Sequence, residues 1–231
     1  MTLLNISPFA ISRWGAFFNH FDLFFKGFLY TLGISFGALL LALILGILSG
    51  GLSTSKSKVG KLISRIYVEV FQNTPLLVQM VFVYYGLAII SNGHVMISAF
   101  FTAVLCVGLY HGAYISEVIR SGIEAVPKGQ TEAVLAQGFT ANQTMQLIIL
   151  PQAVRTILPP MTNQVVNLIK NTSTVAIISG ADIMFVAKAW AYDTTNYIPA
   201  FTGAAIFYFV ICFPLASWAR KQEELNKKTY S

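Results

Sequence analysis

Glu132-Ala133-Val134, then Gly138, then Ile148, Leu150 and Pro151 lie in a polar stretch between two long apolar segments. The chemistry these residues offer is mechanical. Ala133 lets a neighbour approach closely, and Glu132 offers one negative charge to a basic residue on a partner. Pro127 and Gly129 introduce a turn, and Gln130 to Gln137 are good helix formers. Gly138 can supply the left-handed residue that ends a short helix, and Thr140 followed by Gln143 has capping-box spacing. The stretch is expected to form a short helix, a sharp glycine turn and a second helix at a water-facing surface. Such a shape suits docking on a soluble partner and carrying force to it. The same residues also fit a solvated loop helix with an ordinary surface glutamate, and their physics alone leaves both readings open.

A second set of candidates lies inside apolar sequence. Lys170 interrupts an otherwise uncharged segment, where an isolated charge costs roughly 3 kcal/mol or more and so must face protein or water. Thr172 and Ser173 follow it closely; Asn73, Thr74 and Gln79 form a comparable group earlier in the chain. Pro75 cannot donate a backbone hydrogen bond, so carbonyls near residue 71 lose a partner and a kink is expected there. The bland alternative is that Lys170 pairs with a protein carboxylate or carbonyl while the hydroxyls bond their own helix. His94 and His111 have no second ligand at metal spacing and read as structural. Nothing matches the phosphate-binding pattern Gly-x4-Gly-Lys-Ser/Thr, and no Ser/His/Asp or Cys/His constellation stands out.

The elements that must hold these residues are membrane helices. The 231 residues are 55% hydrophobic and only 10% charged, against about 25% charged in soluble domains. The apolar residues come in long runs, not in alternation, which disfavours a β-barrel. The expected fold is an all-α integral membrane protein with five spans near 27–50, 67–90, 96–118, 158–181 and 198–218. A loop at 119–157 carries the first set of candidates, and 219–231 forms a tail. Ser91-Asn92-Gly93-His94 separates the second and third spans. Eleven of the fifteen Lys and Arg fall in the 51–66 loop, the 119–157 loop and the tail. That side is expected to be cytoplasmic, with the N-terminus outside and the C-terminus inside. The net charge of +6 is then explained without nucleic acid. Residues 1–25 read as an interfacial segment, with Trp14, Phe17, Phe18, Phe21, Phe24, Phe25 and Phe28 anchoring in lipid. Trp190, Tyr192 and Tyr197 read as an outer aromatic belt and Trp218 as an inner one. Cys106 and Cys212 fall in apolar spans and read as small hydrophobes.

The run Glu132-Ala133-Val134-x3-Gly138-x9-Ile148-x-Leu150-Pro151 resembles the signature of ABC-importer permeases, with Val134 in place of the third alanine. Phe71-x-Asn73-Thr74-Pro75-Leu76-Leu77-Val78-Gln79 resembles the second-span motif of the polar amino acid branch. Gly112-Ala113-Tyr114-x2-Glu117-x2-Arg120-x-Gly122-Ile123, Val126-Pro127-Lys128-Gly129-Gln130 and Leu168-x-Lys170-Asn171-Thr172-Ser173 are similar to motifs of the same branch. The resemblance covers about residues 25–220. It implies a type I permease bundle with a cytoplasmic coupling helix in the bacterial inner membrane. Gly129, Gln130, Glu132, Ala133 and Gly138 would then serve ATPase coupling. Asn73, Thr74, Gln79, Lys170, Asn171, Thr172 and Ser173 would be candidates for the substrate pathway.

The implied partners are a dimer of a separate cytoplasmic ATPase, an extracytoplasmic amino acid-binding protein, a second permease subunit (self or sister) and lipid. The chain itself is expected to be no enzyme and to bind no cofactor or metal; ATP and Mg belong to the ATPase. Branch members that take basic amino acids often carry an acidic residue directly after this lysine, where Asn171 stands here. A neutral polar or acidic substrate such as glutamine or glutamate is therefore expected. The rival reading is an ATP-independent secondary carrier or channel with Lys170 as charge relay, which would have no need of Glu132 or Gly138.

Overall fold

The computed structural model describes Ser7 and residues 10–229, with side chains described through Gln222 and at Glu224. Residues 1–6, 8 and 9 of the expected interfacial segment lie outside the described residues. The described chain is all-helical. It runs α1 (Ile11–Asn19), α2 (Phe21–Thr54), α3 (Lys58–Gln72), α4 (Leu76–Val81), α5 (Leu87–Ile90), α6 (Ala99–Glu124), α7 (Lys128–Ala136), α8 (Ala141–Thr144), α9 (Leu150–Asn171), α10 (Ile183–Thr194) and α11 (Tyr197–Thr229). Single π turns at Phe82–Gly86 and Met145–Ile149 join α4 to α5 and α8 to α9, and a 3-10 stretch, Thr172–Ile178, continues α9.

Three helices are long and apolar enough to cross a membrane: Phe21–Thr54, Ala99–Glu124 and Tyr197–Gln222. Two bent pairs raise the number to five if each pair is one span: Lys58–Gln72 with Leu76–Ile90, and Ala141–Ile178 with Ile183–Thr194. The first helix is longer than its expected 27–50, and α11 runs on without a break into the expected tail. At the Thr74-Pro75 step the helix does not merely kink; it ends at Gln72 and restarts at Leu76. Two side chains bond carbonyls of the last turn before the break. Asn73 Nδ2 donates to Glu69 O at 2.8 Å and Thr74 Oγ1 to Val70 O at 2.8 Å. Such bonds stabilise the end of a helix that proline interrupts.

The chain divides into two compact units. One comprises residues through Ala38, Leu76–Val107 and Leu168–Pro214; the other comprises Leu39–Pro75, Gly108–Asn167 and the chain from Leu215. In the first, Phe17, Phe24, Trp190, Ala187, Ala191, Ala200 and Ala204 form a buried cluster. Phe17 is 5% exposed, Phe24 0% and Trp190 4%, so these three do not anchor in lipid or form a belt as the sequence suggested. Their rings meet one another, with Phe17 and Phe24 centroids 4.7 Å apart and Phe24 and Trp190 5.5 Å apart. Aromatic residues at a membrane boundary look alike in sequence whether they face lipid or protein. Phe18, Tyr192 and Tyr197 do remain exposed. Asp182 is fully buried and caps α10, accepting from Met184 N at 3.1 Å, Phe185 N at 3.0 Å and Tyr208 OH at 3.3 Å. The hydroxyl of Thr31 takes the next amide, Ile183 N, at 3.1 Å.

The second unit rests on close approach between α2 and α6. A Cβ on Gly46 would overlap Ile115, and one on Gly50 would lie 2.8 Å from Ile119 Cβ. Where lipid tails are as apolar as the helices, such small-residue contacts hold helices together. Three buried serines add polar glue: Ser116 Oγ donates to Ser49 Oγ at 2.9 Å, and Ser64 Oγ donates to Ser49 O at 2.8 Å. Tyr67 OH donates to Leu109 O at 2.7 Å and Gln72 Nε2 to Ala113 O at 3.1 Å, tying α3 to α6.

Candidate functional site

The loop after α6 begins beside a charge cluster. Arg120 binds Glu117, three residues back, with two nitrogens, and donates to Glu124 at 2.5 Å. One cation held by two carboxylates on a single helix stiffens the last turns of α6 before Pro127. The three- and four-residue spacing of Glu117, Arg120 and Glu124 places them on one face of a helix, although the sequence motif contained only the first two.

Helix α7 follows, and its end has the bond pattern of a Schellman motif. Gly138 N donates to Leu135 O at 3.0 Å and Phe139 N to Val134 O at 3.3 Å. Gly138 has φ of +90°, in the left-handed region that favours glycine. The next helix starts with a full capping box: Gln143 N donates to Thr140 Oγ1 at 3.3 Å, and Thr140 N donates to Gln143 Oε1 at 2.9 Å. The π turn Met145–Ile149 then leads into Pro151. Proline has no N–H to donate, and a widened turn beside it is a usual accommodation. One side-chain bond links the two arms of the hairpin, from Gln152 Nε2 to Gln130 Oε1 at 2.7 Å.

Gly129, Gln130, Glu132, Ala133 and Gly138 are all exposed. The hairpin presents one short helix that ends in a left-handed glycine turn, with Glu132 and Ala133 exposed. It brings the five coupling candidates onto one element and its cap.

The pathway candidates are divided between the units. Asn73 and Thr74 belong to the second and Gln79, Lys170, Asn171, Thr172 and Ser173 to the first. Asn73 and Thr74 are exposed but have their side chains engaged in capping α3. In the first unit α4 packs on the 3-10 stretch, and Thr174 Oγ1 lies 3.9 Å from Met80 Sδ, next to Gln79. Lys170 is exposed in the last turn of α9. Thr172 donates to Ile169 O and Ser173 to Lys170 O, each at 2.7 Å, so both hydroxyls bond their own helix and keep only acceptor capacity. His111 is buried with Nδ1 3.3 Å from Gln164 Oε1.

A family model described as binding-protein-dependent transport system inner membrane component matches residues 42–224. The chain is 34% identical over 213 residues to a probable glutamine ABC transporter permease protein, GlnM, of Bacillus subtilis, covering 92% of this chain and 97% of that one. It is 36% identical over 200 residues to a probable amino-acid ABC transporter permease protein, PatM, of Vibrio harveyi, covering 85% and 89%. Among solved structures it is similar to an amino acid ABC transporter crystallised with histidines, with a TM-score of 0.84 and 31% identity over 91% of this chain and 97% of that one. The inward-facing MetNI methionine ABC transporter shares the fold, with a TM-score of 0.68 at 16% identity.

Proposed function

This chain belongs to the family of binding-protein-dependent transport system inner membrane components, and from that premise we propose that it is the permease subunit of an ATP-driven importer of polar amino acids. Two such subunits, identical or paired with a sister, enclose the pathway. A soluble binding protein delivers substrate from outside, and each α7 docks on one subunit of a cytoplasmic ATPase that supplies ATP hydrolysis with its Mg. The N-terminus lies outside and the C-terminus inside. The observation that carries the coupling role is the exposed α7 with its left-handed Gly138 cap and capping-box restart, which makes a stiff lever of a segment bearing the Glu-Ala signature. A rigid element clamped at both ends transmits rigid-body motion; a flexible loop would absorb it.

The substrate is a neutral polar or acidic amino acid, glutamine or glutamate being the leading members of that class. Support comes from Asn171 beside Lys170, and from relatives described as glutamine permeases. Competition against labelled glutamine uptake tests it: excess unlabelled glutamate or asparagine should compete better than arginine. Arginine as the best competitor would overturn the substrate assignment.

The coupling role is tested by a photo-cross-linker at position 132 in native membranes, with the captured protein identified by mass spectrometry. Capture of a cytosolic protein bearing ATP-binding motifs is expected. Capture of lipid or of this chain alone, in membranes active in uptake, would favour an ATP-independent carrier.

A further inference from the structure

Helix α9 exposes two faces of opposite chemistry. At about 100° per residue, Thr156, Pro160, Asn163 and Asn167 fall within an arc of about 60°, and all four are exposed. Val154 and Leu158, each 46% exposed, lie on the opposite side of the helix. The flanks between these faces are packed, with Ala153 buried on one and Thr162 and Val166 on the other. Thr162 satisfies its hydroxyl on its own helix, donating to Leu158 O at 3.0 Å. Among the described residues the side chains of Thr156, Asn163 and Asn167 make no hydrogen bond. Amides without a protein partner on a helix that crosses a membrane need water, because acyl chains offer them nothing. The Val154 and Leu158 side has no such need and suits lipid.

The polar face opens, within the same unit, onto a groove of about 430 Å³ between α6 and α9, lined by Gln72, Tyr114, Glu117, Ser121, Thr156 and Gln164. The two helices touch beside it, where a Cβ on Gly122 would overlap Ile157. Ser121, like Thr156, has a hydroxyl with no partner among the described residues. Gln72 Nε2 is committed to Ala113 O at 3.1 Å and leaves its oxygen as an acceptor. Gln164, whose Oε1 lies 3.3 Å from His111 Nδ1, leaves its amide donors. Glu117 is bound by Arg120 at both oxygens, but Arg120 is shared with Glu124, so the three side chains keep a net negative charge. The groove thus offers hydroxyl and amide donors to a carboxylate and a mildly negative wall to an ammonium. No Lys or Arg lines it. A zwitterion there is held mainly by hydrogen bonds, and contacts of that strength suit a site that must let its occupant leave.

We propose, resting on the permease role above, that this groove and the polar face of α9 line the water-filled route by which an amino acid is released, at the end of α6 that leads into α7. Ser121, Thr156 and Gln164 are its passing contacts, and Asn163 and Asn167 keep the route wet deeper along α9. Which amino acid is carried does not enter.

The test is thiol labelling of the assembled transporter, with its ATPase and binding protein, in inside-out vesicles whose parent membranes take up labelled glutamine. A charged, membrane-impermeant thiol reagent is added to single-cysteine variants. The native Cys106 and Cys212 are buried and are kept, their labelling subtracted with the wild type. Asn163→Cys and Asn167→Cys should each react roughly tenfold faster than Leu158→Cys, since a thiol ionises in water and not among acyl chains. Leu158 is nearer the start of α9, so depth alone would give the reverse order. Millimolar glutamine should slow labelling of Ser121→Cys and Thr156→Cys severalfold, and sucrose should not. Labelling of both Asn positions no faster than Leu158→Cys would overturn the proposal. So would a disulfide between two copies of Asn163→Cys without labelling, since this face would then be a subunit contact. Labelling at 121 and 156 indifferent to glutamine, in a transporter that takes glutamine up, would remove the groove from the route. Failure of the permease role itself would show separately, as wild-type membranes that take up no amino acid.

Discussion

Gly138 is the residue on which the hairpin turns, and its importance is conformational. Nothing lies within 4 Å of where its Cβ would stand, so a side chain there meets no clash. The cost of a substitution is the left-handed backbone alone, about 1–2 kcal/mol for an ordinary L-residue and less for asparagine. Gly138→Ala should therefore lower uptake at unchanged membrane level, and Gly138→Asn should lower it less; Gly138→Asp adds charge at the proposed docking surface and should uncouple transport. Uptake normalised to immunoblotted protein decides the order, and equal activity of all three would remove the turn from the mechanism. This residue was legible in the sequence because glycine after a run of helix formers has few other meanings. The contact of Asp182 with Tyr208 was not legible. Its side-chain partner, Tyr208, is 26 residues downstream, and only the packing of unit one brings the phenol to the carboxylate.

At the scale of elements, the contact of α2 with α6 depends on absent side chains. Gly46 and Gly50 face Ile115 and Ile119 with no room for a methyl, whereas Gly51 faces open space. Gly46→Ala should lower the melting temperature of the purified protein by several degrees, the cost of forcing two packed helices apart being about 1–3 kcal/mol. Gly51→Ala should leave it within a degree or so, or raise it slightly, because alanine is the better helix former. Similar losses at both positions would show that helix propensity, not close approach, is measured. The buried serines join the same interface. Ser116→Ala removes one donor from Ser49 and should cost about 1 kcal/mol, read from the same melts. The break between α3 and α4 was visible in sequence as Pro75. That it became a full stop reflects Asn73 and Thr74, whose side chains bond the carbonyls of Glu69 and Val70 in the last turn of α3 and stabilise its end.

For the whole molecule, the prediction concerns dependence on other chains. Vesicles containing this permease alone should not accumulate glutamine. Adding the ATPase, the binding protein and internal ATP should produce uptake, and a non-hydrolysable ATP analogue should abolish sustained accumulation. Accumulation by the permease alone, driven by an ion gradient, would make it a secondary carrier. The contrast rests on two features: α7, the proposed coupling helix, carries Glu132 and Ala133 exposed, and the sequence carries no Gly-x4-Gly-Lys-Ser/Thr pattern.

The sequence by itself determined class and local form. Low charge and long apolar runs allow little besides membrane helices, and proline, glycine and capping residues act over three or four neighbours, so Pro75, Gly138 and the Thr140–Gln143 box announce their turns. Tertiary structure alone decided which aromatic residues are buried, that Tyr208 reaches Asp182, and that Ser64 and Ser116 meet Ser49. The reason is physical. A turn is set by backbone torsions that adjacent residues control, whereas burial and contacts between helices depend on the distance between those helices. That distance is fixed by small residues such as Gly46 and Gly50, whose effect is read only against the partner helix they admit.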